Sequence, residues 1–206
     1  MGGWFRKPFK SLAEFKGTKF RVGGFAGKVI ERLGGVPQNL PAGEIYQALE
    51  KGTVDAAEWI GPYDDLKLGL YKVAKHYAYP AWWEGGPQLD LHINTKAWDS
   101  LSAEYKSIVE SAAAYAHLDM QGKYDLRNAV ALKQLVAGGA QLFPFPKDMM
   151  DLAYKEAMAL YDELPQQPDA GRQFVVQRHA AQAHQALLER PAAVREQIGR
   201  ASCRER

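Results

Sequence analysis

Residues 19–59 alternate between short strand-like runs and segments in which apolar residues recur at the spacing of one helix face. Gly23 and Gly24 separate the first run from the first helical segment. The predicted strands cover residues 19–22, 36–40 and 53–59, and the predicted helices cover residues 25–33 and 42–52. Strands that alternate with helices in this way predict an α/β domain with a largely parallel sheet.

The pattern becomes mainly helical downstream. Ser102, followed by Glu104, has the form of an N-cap ahead of a long helix. Further helices are predicted at residues 64–75, 102–136, 146–164 and 174–188, and further strands at residues 76–83 and 89–94. Because the first predicted strand starts only at residue 19, the sheet lacks its opening strands. We therefore expect an incomplete α/β domain with a helix-rich C-terminal part.

The composition is that of a soluble globular protein, with 47% hydrophobic and 24% charged residues. No run approaches the roughly 20 apolar residues that a membrane-spanning helix needs. The last nine residues, 198–206, read I-G-R-A-S-C-R-E-R, which is the translation of a common sequencing adapter, and we expect this segment to be an artefact. The alternative is a natural basic tail.

Excluding residues 198–206 removes the net positive charge of the sequence. The segment holds three arginines, one glutamate and the one cysteine, so 23 basic and 23 acidic residues remain. A neutral chain without a basic patch argues against nucleic acid as a partner. The missing thiol excludes cysteine nucleophiles and cysteine-ligated zinc within residues 1–197.

Arg21 ends the first predicted strand, just before two glycines and the start of a helix. Ligands of open α/β sheets bind at the carboxyl ends of the strands. A guanidinium there can hold a carboxylate through two hydrogen bonds, and a helix N-terminus adds N–H donors. Arg21 is therefore a candidate carboxylate ligand; the simpler alternative is a surface arginine at a strand end.

Two carboxylates also stand at the ends of strand-like runs beside tryptophans: Glu58 precedes Trp59, and Glu84 follows Trp83. Two such carboxylates could bracket a cation or act as a general acid and base. Tryptophans at strand ends favour the lining of a cleft. Ordinary packing of the tryptophans beside solvated glutamates is the alternative.

The sequence resembles the solute-binding proteins of tripartite ATP-independent periplasmic (TRAP) transporters, the dicarboxylate-type family. Residues 44–58 spell E-x-Y-x-A-L-x-x-G-x-x-D-x-x-E, which is long and fairly specific, and the resemblance also includes K-F-R-V at 19–22. The flanking segments G-G-W-F-R-K, G-G-F-A-G, E-W-I-G-P-Y-D-D and W-W-E-G-G are similar to the subgroup that binds 2-oxo acids. The likeness covers roughly residues 1–190.

The resemblance implies a periplasmic-binding-protein-like fold of two α/β lobes that close over the ligand. It also implies that the protein is not an enzyme and captures a small carboxylate for the TRAP membrane subunits. Arg21 would hold the substrate carboxylate, and Phe25, Trp59 and Trp83 would line the substrate. A sodium ion, with calcium as the alternative, would bind the carboxylates of Glu58 and Glu84 and the carbonyl of Trp59.

The resemblance further implies how the chain is divided. Residues 1–87 would form most of one ligand-binding lobe, and residues 88–197 a hinge strand, the long helix and C-terminal helices that pack on a missing first lobe. The export signal for a periplasmic protein would lie in the missing N-terminal portion. A homodimer through a long C-terminal helix occurs in some members and stays open here.

Two other functions remain as alternatives. A hydrolase or lyase could use Glu58 and Glu84 as acid and base, which predicts turnover and a raised carboxylate pKa. A sensor domain of the same fold could belong to a signalling protein. The sequence does not distinguish pyruvate from longer 2-oxo acids, 2-hydroxy acids or dicarboxylates.

Overall fold

The computed structural model describes residues 1–82 and 89–163. Its strands are β1 (Trp4–Phe5), β2 (Lys19–Arg21), β3 (Val36–Gln38), β4 (Ala56–Ala57), β5 (His76–Tyr79) and β6 (Gln141–Pro144). Its α-helices are α1 (Leu12–Phe15), α2 (Gly24–Arg32), α3 (Ile45–Lys51), α4 (Pro62–Leu68), α5 (Thr95–Ser100), α6 (Ala103–Ala137) and α7 (Lys147–Glu163). Short 3-10 turns cover Ala42–Glu44 and Leu70–Lys72. The helix predicted at 174–188 and the segment 198–206 lie outside the described residues.

The strands form one mixed sheet in the order β3-β2-β4-β1-β5-β6. β1 runs antiparallel to both of its neighbours, while the pairs β2–β3, β2–β4 and β5–β6 are parallel. The predicted α/β class and the helix-rich C-terminal part are confirmed. Residues beyond 88 also contribute to the sheet, because β6 pairs with β5, and α6 packs along α4.

The sheet separates two hydrophobic clusters, and β1 contributes to both. Phe5 belongs to the first cluster, which α2 and α7 cover, and Trp4 belongs to the second, between the sheet and α3, α4 and α6. Successive strand residues point to opposite faces, so this two-residue strand supplies a fully buried aromatic ring to each side. The first cluster includes Phe15, Phe20, Ile30 and Met149, and the second includes Ile45, Leu49, Leu70, Tyr77 and Leu135.

Two sequence-based predictions about strands are wrong. The first strand is β1 and not the run at residue 19, because two residues are too few to show a hydrophobic period. Residues 89–94 form no strand, and in that segment Leu89 and Leu91 are 79% and 68% exposed. Alternating apolar and polar residues give a strand one apolar face, but a strand also needs a neighbouring strand that forms hydrogen bonds with its backbone N–H and C=O groups. The chain instead adds β6, whose hydrophobic pattern was not recognised.

Local signals set the ends of the long helix as predicted. The Ser102 side chain accepts a hydrogen bond from the Tyr105 N–H at the start of α6, and Gly138 follows its last residue. Several apolar side chains of α6 remain exposed: Tyr105, Ile108, Tyr115, Leu118 and Leu126. Among the described residues, no helix combines the length and apolar character needed to cross a bilayer.

Candidate functional site

Arg21 and Glu58 lie side by side at the carboxyl ends of two neighbouring parallel strands. The β2–β4 register pairs Arg21 with Ala57, so the next residue, Glu58, follows β4 at the same edge of the sheet. The Glu58 N–H donates to the Arg21 carbonyl oxygen at 3.0 Å. Both side chains are only 15% exposed. The arrangement is that expected for a ligand site of an open α/β sheet.

Neutral carbonyl groups hold the Arg21 guanidinium in place. Its Nε donates to the carbonyl oxygen of Leu40 at 3.1 Å, and its Nη1 donates to that of Glu58 at 2.8 Å. The carboxylate of Glu58 lies 3.6 Å from Nη1, which is too long for a hydrogen bond and leaves a longer-range ion pair. Among the described residues, no acceptor takes a hydrogen bond from Nη2. The guanidinium is therefore oriented by the protein while one of its nitrogens stays available to an anion.

Trp59 forms one side of this site. The Cζ atom of Arg21 lies 5.6 Å from the centre of the Trp59 ring, within cation–π range. The ring is half-buried and packs against the second hydrophobic cluster. Because that packing restricts the ring, Trp59 can support the guanidinium and present an apolar surface beside it.

The N-terminus of α2 lies next to the end of β2. Its N-cap is Gly23, which offers no side-chain acceptor to the first N–H groups of the helix. Phe25, in the first turn, is half-buried and stacks on Tyr161 of α7, with ring centres 4.6 Å apart and planes inclined by 16°. The Phe25 ring is thus held in place by its stacking on Tyr161.

The second predicted tryptophan and carboxylate, Trp83 and Glu84, lie outside the described residues. Trp82, just before it, packs against the first hydrophobic cluster. Within residues 1–82 and 89–163, no three histidine, cysteine, aspartate or glutamate side chains come together as a metal site would require. The described oxygens suited to a hard cation here are the carboxylate of Glu58 and the carbonyl of Trp59.

Two groups at this site were not found by reasoning from the sequence. One is the carbonyl oxygen of Leu40, which as a backbone atom carries no residue-specific signal. The other is Asp65, which is 2% exposed and accepts hydrogen bonds from Trp4 and Tyr77. Burial raises the pKa of the Asp65 carboxyl, against the opposing effect of its hydrogen bonds. Its place in the first turn of α4 is typical of an exposed acid that faces the helix dipole, so its burial could not be read locally.

A cluster of polar side chains joins α4 to α6. Tyr124 donates to the Asp64 carboxylate at 2.7 Å, and Arg127 donates to the Tyr63 hydroxyl at 2.9 Å. The hydrogen bond to Asp64, with partial burial, raises the pKa of Tyr124 to about 12. The cations of Lys67 and Arg127 lower the pKa of Tyr63. These contacts attach the helix that follows the Glu58 loop to the long helix.

Comparison with known proteins identifies proteins that are similar to this chain. The family model described as bacterial extracellular solute-binding protein, family 7, matches residues 1–167. A monocarboxylate 2-oxoacid-binding periplasmic protein of Nostoc sp. is 49% identical over 163 residues, which are 79% of this chain and 45% of that protein.

Two solved structures are also similar. A TRAP transporter solute-binding protein from Bordetella bronchiseptica RB50, a mixed-occupancy dimer with calcium and picolinate in the occupied site, is 41% identical with a TM-score of 0.79, covering 100% of this chain and 62% of that one. A TRAP periplasmic solute-binding protein from Pseudoalteromonas atlantica T6c, with bound sodium and pyruvate, is 34% identical with a TM-score of 0.79, covering 96% of this chain and 60% of that one. The chain thus spans about half to three fifths of the length of these relatives.

Proposed function

The chain belongs to family 7 of the bacterial extracellular solute-binding proteins, and from this premise we propose that it forms part of a periplasmic protein that captures a 2-oxo acid together with a sodium ion for a TRAP transporter. The family consists of binding proteins and not of enzymes. A binding protein would release its ligand unchanged, so the acid and base roles considered for the two glutamates are not needed. The Nostoc relative, named for 2-oxoacid binding, supports the ligand class.

One observation carries the proposal for the carboxylate. Arg21 is held by the carbonyl oxygens of Leu40 and Glu58, and its Nη2 donates to no described residue. A planar guanidinium fixed in this way loses little conformational freedom when it binds an anion, which favours affinity. The uncapped N-terminus of α2, close to the end of β2, adds partial positive charge. We assign the substrate carboxylate to Arg21, with Phe25, Trp59 and Trp83 as the apolar and aromatic lining.

The oxygen donors at the end of β4 fit a hard cation. Glu58 would supply its carboxylate and Trp59 its carbonyl oxygen, and Glu84 would add a second carboxylate. A bound sodium ion supplies positive charge between these groups and the substrate. That charge would offset the repulsion between Glu58 and an incoming carboxylate. The sodium- and pyruvate-bound Pseudoalteromonas structure supports this ion, and the calcium in the Bordetella structure keeps calcium as the alternative.

The division at residue 87 and the partners are parts of the same proposal. Residues 1–87 would supply the ligand groups, while the exposed apolar side chains near the start of α6 and at 89–93 would face a second lobe. The mixed-occupancy Bordetella dimer supports a homodimer as one state of the protein. The membrane subunits of a TRAP transporter would receive the ligand.

A calorimetric and thermal-shift titration of the complete gene product tests the function. The panel is 2-oxo, 2-hydroxy and dicarboxylic acids, each in sodium and in potassium buffer. A ligand at a hundred times its Kd should add about 2.7 kcal/mol of stability. We expect stabilisation by 2-oxo acids in sodium, its loss in Arg21→Ala, and recovery of the ligand unchanged. Failure of every acid to bind would reject the carboxylate assignment.

A further inference from the structure

Asp65 connects the loop after β4 to the middle of the sheet. Its Oδ1 accepts hydrogen bonds from the backbone N–H groups of Ile60 at 3.2 Å and Gly61 at 3.1 Å. Its Oδ2 accepts from Nε1 of Trp4 at 2.9 Å and from the hydroxyl of Tyr77 at 2.6 Å. All four partners are donors, so they match the ionised carboxylate, which only accepts.

The Oδ2 side of this network is rigid. Trp4 and Tyr77 lie opposite each other on the adjacent strands β1 and β5. Their rings stack with centres 3.8 Å apart and planes inclined by 6°, and both side chains are fully buried. A carboxylate oxygen held by both polar groups is fixed relative to the sheet. The Oδ1 atom then presents a fixed acceptor to the loop.

The peptide that Oδ1 holds is the one that carries a proposed cation ligand. The N–H of Ile60 and the carbonyl group of Trp59 belong to the same peptide unit. A planar trans peptide directs its N–H and C=O in opposite directions. When Asp65 fixes that N–H, the Trp59 carbonyl oxygen must point away from Asp65. One residue earlier, the Glu58 carbonyl accepts a hydrogen bond from Nη1 of Arg21, so the peptide that supports the guanidinium directly precedes the peptide that Asp65 holds.

We propose that Asp65 is a positioning residue for the ligand site: through the Trp59–Ile60 peptide it aims the Trp59 carbonyl oxygen at the cation, and through Glu58 it holds Arg21. The inference rests on the proposed function, since it concerns the same carboxylate and the same ion. Asp65 itself touches neither, because its four hydrogen bonds all go to the protein.

Two variants separate the loop anchor from general stability. Tyr77→Phe removes one donor to Oδ2 and leaves both hydrogen bonds of Oδ1 to the loop. The double variant Asp65→Ala with Tyr77→Phe also removes the loop anchor, and it avoids leaving a buried hydroxyl without its partner. Met149→Ala, in the first cluster on the other face of the sheet, is a control that is destabilised without touching the loop.

The first measurement needs neither ligand nor sodium. We expect the amides of Ile60 and Gly61 to exchange hydrogen faster in the double variant than in Tyr77→Phe or Met149→Ala. The second measurement is the Kd for a 2-oxo acid, titrated at several sodium concentrations on the complete gene product. We expect the double variant to bind roughly tenfold more weakly than Tyr77→Phe, as loss of one orienting hydrogen-bonded contact predicts. Its response to sodium should weaken, while both controls keep the wild-type response.

The outcomes distinguish the two proposals. If the wild type binds no 2-oxo acid, the proposed function fails. If the wild type binds with sodium, and the double variant shows the same exchange, Kd and sodium response as Tyr77→Phe, the positioning role is rejected while the function stands. If the double variant does not fold, Asp65→Leu with Tyr77→Phe decides the same comparison, since leucine branches at the same carbon as aspartate and offers no acceptor to the loop N–H groups.

Discussion

Arg21 and Glu58, 37 residues apart in the chain, are joined three times at the ends of β2 and β4. The Glu58 N–H donates to the Arg21 carbonyl at 3.0 Å, Nη1 of Arg21 donates to the Glu58 carbonyl at 2.8 Å, and the two side chains form an ion pair at 3.6 Å. Two of these three contacts use the backbone of Glu58. The position of the guanidinium therefore depends on the path of the chain after β4 more than on the glutamate side chain.

Arg21→Lys should weaken 2-oxo acid binding while the protein stays folded. Lysine keeps the charge but lacks the planar fork that bonds both carbonyl groups and still faces an anion. Loss of one charge-assisted hydrogen bond predicts a Kd about 10- to 100-fold higher. Isothermal calorimetry measures it. Arg32→Lys, on the far end of α2, is the matched control and should bind as the wild type does; equal affinity of the two variants would contradict the role of Arg21.

Glu58→Gln should reduce the dependence of ligand binding on sodium. The substitution removes the charge that attracts the cation and preserves the backbone carbonyl that supports Arg21. We expect about tenfold more sodium to be needed for the same effect, in line with the loss of one charged oxygen ligand. Titrations at constant ionic strength in mixtures of sodium and potassium measure it. The substitution Glu44→Gln, at an exposed position, serves as the control. An unchanged sodium response in Glu58→Gln would contradict the assignment of Glu58 as a ligand of the ion.

Tyr124 should ionise at higher pH than an ordinary tyrosine. The neutral hydroxyl donates to Asp64, and the pKa is raised to about 12. Because the folded pKa lies above the unfolded one, its contribution to stability is fully present below about pH 10 and is lost as the pH rises through the folded value. Ultraviolet titration of tyrosinate in the wild type and in Tyr124→Phe checks this. A difference spectrum with its midpoint at the ordinary tyrosine pKa would contradict the hydrogen bond.

Phe5→Ala should be among the most destabilising single substitutions in the chain. The ring is 1% exposed. It contacts four other phenylalanine rings, whose centres lie 5.2 to 6.1 Å away: Phe9, Phe20, Phe143 and Phe145. Truncation of such a ring costs about 3–5 kcal/mol of the free energy of unfolding. Urea unfolding measures it, with Leu142→Ala, at a 43% exposed position of β6, as the control expected to change little.

Much of the secondary structure was predictable because it depends on neighbours in the chain. The helix with Val29, Ile30 and Leu33 on one face shows its period within a few turns. The ends of α6 are marked by Ser102, whose side chain caps the first turn, and by Gly138, which has no side chain. Arg21 and Glu58 were also predicted as candidates, since each stands at the end of a recognisable strand. Segment 89–94 shows the limit: its alternation is that of a strand, yet it pairs with no strand in the described part of the chain.

By itself, the sequence determined the alternating strands and helices, the charged residues at the strand ends and the family pattern at 44–58. Only the tertiary structure decided that Trp4 and Phe5 form a central antiparallel strand, that Asp65 is buried between Trp4, Tyr77 and the Glu58 loop, and that Arg21 meets the carbonyl groups of Leu40 and Glu58. Local periodicity reports which face of an element is apolar. Pairing between strands, and the burial of a charge among distant donors, depend on contacts between residues far apart in the chain, which no local pattern encodes.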